Sequence, residues 1–79
     1  MIVKVLGAGC SKCKLLVKRL EEIKQQHELD YDIEYITQLD EIMSYGIMMT
    51  PGLIINDELK TVGKVPSDSQ LLEWIQKVS

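Results

Sequence analysis

The sequence predicts an α/β protein in which a mixed four-stranded sheet is flanked by three helices, in the order βαβαββα. Two observations carry this prediction. Apolar residues recur with the short period of strands in some segments and the longer period of helices in others, and Gly, Pro, Asn, Asp or Ser residues separate most of these segments. The chain has 79 residues, so residues 1–79 are expected to form a single small domain.

A strand-helix-strand unit is predicted at the N-terminus. Ile2 to Leu6 is a short, mostly apolar run that ends at Gly-Ala-Gly, as expected of a buried strand. Helical spacing of apolar residues predicts a helix from Ser11 to about Glu28. Tyr31 to Ile36 alternates like a half-exposed edge strand, which should pair in parallel with the first through a right-handed crossover. The apolar face of the helix contains Cys13, Leu16, Leu20 and Ile23.

A second, shorter helix is predicted before Gly46. Thr37 is expected to cap its start, with Asp40 three residues later, and Gly46 to end it. The next five residues, up to Pro51, should be extended because the residue before a proline avoids the helical region. The helix residues expected to face inward are Leu39, Ile42 and Met43. Core filling, ahead of metal binding, is the expected role of Met43, Met48 and Met49.

The C-terminal part is predicted to be an antiparallel hairpin followed by a helix. The strands are Gly52 to Ile55 and Leu59 to Val62, joined across Asn56-Asp57-Glu58, where Asn and Asp tolerate left-handed backbone conformations. Ser67 should cap the last helix, with Gln70 at capping-box spacing. The apolar stripe of this helix is Leu71, Leu72, Ile75 and Val78, with Trp74 as a further core anchor.

Composition excludes several classes of function. The formal charge is −3, from 9 Lys and Arg against 12 Asp and Glu, and no basic run is present. Nucleic acid is therefore not an expected partner. No apolar run approaches the roughly 20 residues of a membrane span, so membrane insertion is not expected. Without a recognisable export signal, a cytoplasmic location is expected.

The chemistry is predicted at Cys10-Ser11-Lys12-Cys13, where the first strand leads into the first helix. Cysteines three residues apart at a helix start can form a disulfide, and the N–H groups and dipole of the helix stabilise a thiolate there. Cys10 lies nearer these N–H groups and should be the nucleophile. Cys13 lies on the apolar stripe and should be the buried, resolving cysteine. Lys12 and Lys14 add positive potential.

Three other readings of the cysteines are weighed against disulfide exchange. Two soft thiolates could hold copper(I) or a metalloid, although copper carriers usually have Met where this chain has Ala8. Zinc prefers four ligands, and His27, some four turns down the helix, is the one remaining candidate beside the pair. The cysteines could also simply pack in the core of an interaction domain. No metal or other cofactor is expected.

The two halves together resemble the thioredoxin fold family. The Cys-x-x-Cys pair, followed by Met49-Thr50-Pro51 and an apolar strand, is similar to the minimal thioredoxin-like branch of small redox-active disulfide proteins. The resemblance covers essentially the whole chain. It implies a thioredoxin fold and thiol–disulfide oxidoreductase activity.

The resemblance also implies further site residues and partners. Pro51 would be cis and would face the cysteines, so that the backbone of Thr50 lies where a substrate chain can pair with it. Substrate contacts are therefore expected from Thr50, Pro51 and Lys12. The expected partners are a disulfide-containing protein or a small thiol compound as substrate, and a reductase as electron donor. The cationic face formed by Lys12, Lys14, Lys18 and Arg19 is read as solvated, with docking of an acidic partner as a second possibility.

Overall fold

The structure, a computed structural model, describes residues 1–7 and 9–78. In this part of the chain, four strands and three helices follow one another in the predicted order, which confirms the fold class. The strands are β1 (Ile2–Leu6), β2 (Asp32–Ile36), β3 (Gly52–Ile55) and β4 (Glu58–Val62). The helices are α1 (Ser11–Gln26), α2 (Leu39–Ser44) and α3 (Asp68–Val78).

The strands form a mixed sheet in the order β2-β1-β3-β4. β1 pairs in parallel with β2 and antiparallel with β3, and β3 pairs antiparallel with β4. Asp32–Ile36 is therefore an edge strand, as its alternating pattern predicts. The hairpin turn contains Asn56 and Asp57 at φ values of 53° and 65°, so β4 begins one residue earlier than predicted.

The core has two layers, one on each face of the sheet. The larger layer is the interior between the sheet and helices α1 and α3, and all four predicted positions of the α1 stripe are buried. Its buried residues include Val3, Val5, Leu16, Leu20, Leu53, Ile55, Leu71 and Ile75. The smaller layer lies on the other face and contains Leu6, Ile42, Ile47 and Ile54. Each layer excludes water from one side of β1 and β3, so these two central strands lie in the interior of the fold.

Helix α1 ends two residues before the predicted position. Its last turn closes with the N–H of Leu29 donating to the carbonyl of Lys24 at 3.0 Å, and the N–H of Glu28 donating to Gln25 at 3.4 Å. Glu28 has a left-handed φ of 51°. This is the Schellman arrangement, in which a left-handed residue reverses the chain and satisfies the last carbonyls of a helix.

Helix α2 differs most from the sequence prediction. It begins at Leu39, and its cap position is Gln38, whose side chain makes no capping hydrogen bond, so the predicted capping by Thr37 is wrong. Ile42 is buried as predicted, whereas Leu39 and Met43 are both 64% exposed. Because α2 has 6 residues, it spans fewer than two turns, and one inward residue is enough to hold it on the sheet.

The expectation that the methionines fill the core is also wrong. Met43, Met48 and Met49 are exposed, and Met48 is 98% exposed. Helix α3 behaves as predicted at its start, where Ser67 Oγ accepts a hydrogen bond from the N–H of Gln70 at 3.3 Å. Trp74 packs half-buried against the larger core. Ala8 and the side chain of Val78, which the sequence analysis used, lie outside the described residues.

In residues 1–7 and 9–78, no helix combines the length and apolar character needed to cross a lipid bilayer.

Candidate active site

The two cysteines lie together at the N-terminus of α1 and are joined as a disulfide, with Cα atoms 5.2 Å apart. Cys10 is the N-cap residue, in an extended conformation, and its Sγ accepts a hydrogen bond from the N–H of Cys13 at 3.2 Å. A sulfur at this position receives one of the helix N–H groups that lack a partner within the helix, and it lies at the positive end of the helix dipole. The local geometry therefore favours negative charge on the Cys10 sulfur.

The cysteines differ sharply in accessibility. Cys10 is exposed, whereas Cys13 is fully buried. Gly7 makes this burial possible, because a Cβ atom at Gly7 would overlap the sulfur of Cys13 and lie 2.8 Å from its Cβ. The sequence analysis treated Gly7 as part of a loop; its specific function is to leave room for the inner cysteine.

The proline loop faces the cysteines. The Thr50–Pro51 peptide bond is cis, as the family resemblance implies, and Thr50 Oγ1 lies 4.0 Å from Cys10 Sγ. Pro51 is buried, and its carbonyl accepts a hydrogen bond from the N–H of Gly63 at 2.8 Å. Thr50 lies two residues before Gly52, the first residue of β3, and so lies outside the strand ladder, beside the Cys10 sulfur.

The charged groups predicted near the site lie on its outer side. Lys12 and Lys14 are exposed on the first turn of α1. The described residues of this first turn include no Asp or Glu, so positive charge dominates on this turn. No charged residue is among the fully buried residues of the described chain, so the interior behind Cys13 is apolar apart from tyrosine hydroxyls.

An apolar groove lies next to Thr50. It has a volume of about 270 Å³. Its lining residues come from α2 and the loop before the proline: Leu39, Ile42, Met43, Ile47, Met48 and Thr50. The sequence carries a signal for this groove, since Met43, Met48 and Met49 precede the Thr-Pro motif, but a core and a surface groove both attract methionine.

The hydroxyl of Tyr35, on β2, is a polar group that the sequence analysis missed. This oxygen is buried and has no hydrogen-bond partner in the described part of the protein. The Tyr35 ring lies on the side of Gly7 where the Cys13 sulfur lies, because its Cε1 atom would be 3.8 Å from the same Gly7 Cβ that would overlap that sulfur. Alternation along β2 predicts that Tyr35 faces inward, but it does not predict an unpaired hydroxyl.

The described residues lack the cluster of ligand side chains that a metal centre needs. The described residues contain no group of three or more His, Cys, Asp or Glu side chains that could hold a metal ion. His27 is exposed and occupies the C-cap of α1, at the opposite end of the helix from Cys10.

Comparison with known proteins gives consistent matches. A family model described as a thioredoxin domain matches residues 1–76. A thioredoxin of Methanothermobacter thermautotrophicus is 32% identical over 71 residues, which are 90% of this chain and 92% of the relative. Two thioredoxins of Methanocaldococcus jannaschii are 26% and 30% identical, over 96% and 86% of this chain and 87% and 82% of their own. The soft-metal alternative gains no support from these relatives.

The fold, the bonded cysteines at a helix start and the facing cis-proline agree with these matches along nearly the whole chain. The chain belongs to the thioredoxin family and is a thiol–disulfide oxidoreductase.

Proposed function

We propose that Cys10 is the attacking cysteine and Cys13 the resolving cysteine in the reduction of protein or small-molecule disulfides. The observation that carries this assignment is the contrast between an exposed Cys10 at the helix N-terminus and a buried Cys13 bonded to it. A thiolate must reach its substrate, and helix N–H groups stabilise it at Cys10.

The reaction has two exchange steps. The Cys10 thiolate attacks one sulfur of the substrate disulfide, a Cys10–substrate bond forms, and the other substrate sulfur leaves as a thiolate that takes up a proton. Cys13 then loses its proton and attacks the Cys10 sulfur, so the Cys10–Cys13 bond forms and the second substrate thiol is released. Two electrons pass from the cysteine pair to the substrate.

Returning the pair to the dithiol needs an electron donor, and the proposal includes a reductase in this role. Family membership supports a disulfide substrate and a reductase in general terms. We place the reaction in the cytoplasm, where thiols are kept reduced. Residues 1–79 would act as one domain.

Substrate contacts are proposed at three residues around Cys10. Thr50 lies outside the ladder and beside the sulfur, which supports pairing of its backbone with an extended substrate segment. Buried Pro51 holds Thr50 in this position. Lys12 would attract acidic groups close to the substrate disulfide.

Single cysteine variants test the assignment of roles. Cys10→Ser should abolish exchange, and Cys13→Ser should accumulate a mixed disulfide between Cys10 and the substrate, detected by mass after acid quenching. Retained turnover in Cys10→Ser would show that the roles are wrong. A mixed disulfide on Cys13 in that variant would show that they are reversed.

A redox titration tests the activity itself. The protein is equilibrated in graded thiol/disulfide buffers, quenched and alkylated, and its free cysteines are counted by mass. A reversible two-electron transition between roughly −180 and −270 mV is expected, the range of working oxidoreductases. Two thiols that alkylate in the folded protein across the whole series would contradict the proposed function.

A further inference from the structure

The hydroxyl of Tyr35 is a buried polar group that the mechanism above does not use. It makes no hydrogen bond within residues 1–7 and 9–78. A buried hydroxyl without a hydrogen-bond partner lowers the stability of the folded protein. Such a group near a reacting sulfur therefore calls for an explanation. Phenylalanine would fill the same space without this cost, so the hydroxyl itself has to be accounted for.

The ring of Tyr35 and the sulfur of Cys13 both lie close to Gly7. A Cβ atom added to Gly7 would overlap the Cys13 sulfur and lie 3.8 Å from Cε1 of Tyr35. Cε1 is bonded to the ring carbon that carries the hydroxyl. The ring edge and the sulfur therefore both lie on the same side of Gly7.

The surroundings of Cys13 offer little that could stabilise a negative charge on its sulfur. Cys13 is fully buried, and the fully buried residues of the described chain include no charged side chain that could stabilise an anion there. During the resolving step, Cys13 must nevertheless become a thiolate. In an apolar interior, a thiolate without a hydrogen-bond donor is strongly disfavoured.

We propose that, in the reduced protein, the Tyr35 hydroxyl donates a hydrogen bond to the Cys13 sulfur and stabilises the thiolate that attacks Cys10. The inference rests on the proposed function, because it assigns a donor to the resolving cysteine. In the disulfide form, Cys13 Sγ is held by its bond to Cys10, and the hydroxyl has no partner among the described residues. Once that bond is reduced, the Cys13 side chain is free to rotate toward the ring.

No proton or electron moves to Tyr35 in this scheme. The Cys13 proton goes to solvent or to the departing substrate thiolate, and the phenol keeps its own proton throughout. Cys13 sulfur bonds to Cys10 sulfur, the Cys10–substrate bond breaks, and the electron pair leaves with the substrate sulfur.

The test compares Tyr35→Phe with the wild type in a reaction that separates the two steps. The reduced protein is mixed with an excess of a chromogenic aryl disulfide. Attack by Cys10 releases the first aryl thiolate and attack by Cys13 releases the second. Tyr35→Phe should leave the first phase unchanged and slow the second by roughly tenfold or more, the effect of losing a hydrogen bond to a charged group.

Stability measurements distinguish this role from a structural one. Removing an unpaired buried hydroxyl should leave the urea midpoint of oxidised Tyr35→Phe equal to or higher than that of the wild type. Tyr31→Phe is the matched control, because Tyr31 lies just before β2 and its hydroxyl already donates to the carbonyl of Leu20 at 2.5 Å. This variant should lower the midpoint and keep both phases.

The possible outcomes separate the inference from the proposed function. An unchanged second phase in Tyr35→Phe overturns the role of Tyr35 and leaves the assignment of the cysteines intact. An equal slowing of the second phase in Tyr31→Phe also overturns it, since general loosening of the core would then be the cause. A wild type that releases a single aryl thiolate and forms no Cys10–Cys13 bond would instead contradict the proposed function.

Discussion

Tyr31 shows how one side chain in this small core combines burial with a polar contact. Its ring lies in the larger core layer at 2% exposure, while its hydroxyl donates a hydrogen bond to the carbonyl of Leu20 at 2.5 Å. Burial raises the pKa of Tyr31 to about 12, from an ordinary value of 10.0. The neutral phenol is therefore the form compatible with the fold.

Stability at alkaline pH should depend on Tyr31. Between pH 10.0 and about 12, the unfolded chain releases the Tyr31 proton while the folded protein keeps it, so the free energy of unfolding falls as the pH rises. Tyr31→Phe should cost about 1 kcal/mol at neutral pH through the lost hydrogen bond, and should flatten this alkaline decline. Urea unfolding of both proteins across the pH range checks both effects. Parallel curves would show that Tyr31 does not titrate as described.

In the active site, the burial of the inner cysteine depends on one residue, Gly7. A residue with no side chain allows the Cys13 sulfur to lie where any Cβ would be, and thereby keeps the inner cysteine out of water. The Cys-x-x-Cys spacing predicts a reactive pair, and the burial of its second member depends on a residue of the preceding loop.

At the scale of elements, the C-terminal end of α1 is followed by a residue whose backbone conformation is unfavourable for its type. Glu28 adopts a φ of 51°, a conformation that costs a residue with a Cβ roughly 1 kcal/mol relative to glycine. The neighbouring hydrogen bonds from Glu28 and Leu29 to the last helical carbonyls fix the chain in this conformation. The helix therefore ends here through these local hydrogen bonds and in spite of the residue type.

Glu28→Gly should stabilise the protein by about 1 kcal/mol, because glycine is the preferred residue at this position. The matched control is His27→Gly at the preceding cap position, where φ is −106° and glycine brings no relief. This control should be neutral or destabilising. Both are measured as urea midpoints, and a lower midpoint in Glu28→Gly would contradict the assigned helix end.

Helix α2 and the loop after it place apolar side chains on the surface beside the active site. Leu39, Met43 and Met48 are largely exposed and line the groove that contains Thr50. A groove of about 270 Å³ is smaller than typical small-molecule pockets and is suited to a side chain of a docked protein. Its exposed apolar residues would lose water when such a substrate binds.

At the scale of the whole molecule, the groove should matter for protein substrates and not for small ones. The double variant Leu39→Ser, Met43→Ser should slow the reduction of insulin disulfides by roughly fivefold through lost apolar contact, while its reaction with a small aryl disulfide stays unchanged. Leu59→Ser is the control, since Leu59 is similarly apolar and 45% exposed but lies on β4 next to the hairpin turn.

Both rates are measured with the same preparations, so a folding defect would appear in the small-molecule reaction as well. Equal rates of insulin reduction in the double variant and in Leu59→Ser would show that the groove does not contribute to the binding of protein substrates. A loss in both assays would assign Leu39 and Met43 to the fold and not to docking.

The long periodic segments could be predicted from the sequence because their signals are local. Helical spacing predicts α1 and its four buried residues, alternation predicts the edge strand, and Asn56-Asp57 predicts the hairpin. The Cys-x-x-Cys motif and Thr50-Pro51 likewise predict a candidate site. The signal failed at α2, where 6 residues are too few to separate an inward from an outward face, and where core and surface both accept methionine.

By itself, the sequence determined the order of elements, the pair of cysteines and the family resemblance, since each depends on residues that are neighbours or recur at fixed spacing. Only the tertiary structure decided that Gly7 leaves room for the Cys13 sulfur, that Thr50 lies 4.0 Å from Cys10, and that the Tyr35 ring lies on the same side of Gly7. These relations join β1, β2, α1 and the proline loop. Packing brings such distant segments together, and no local pattern records which atoms then meet.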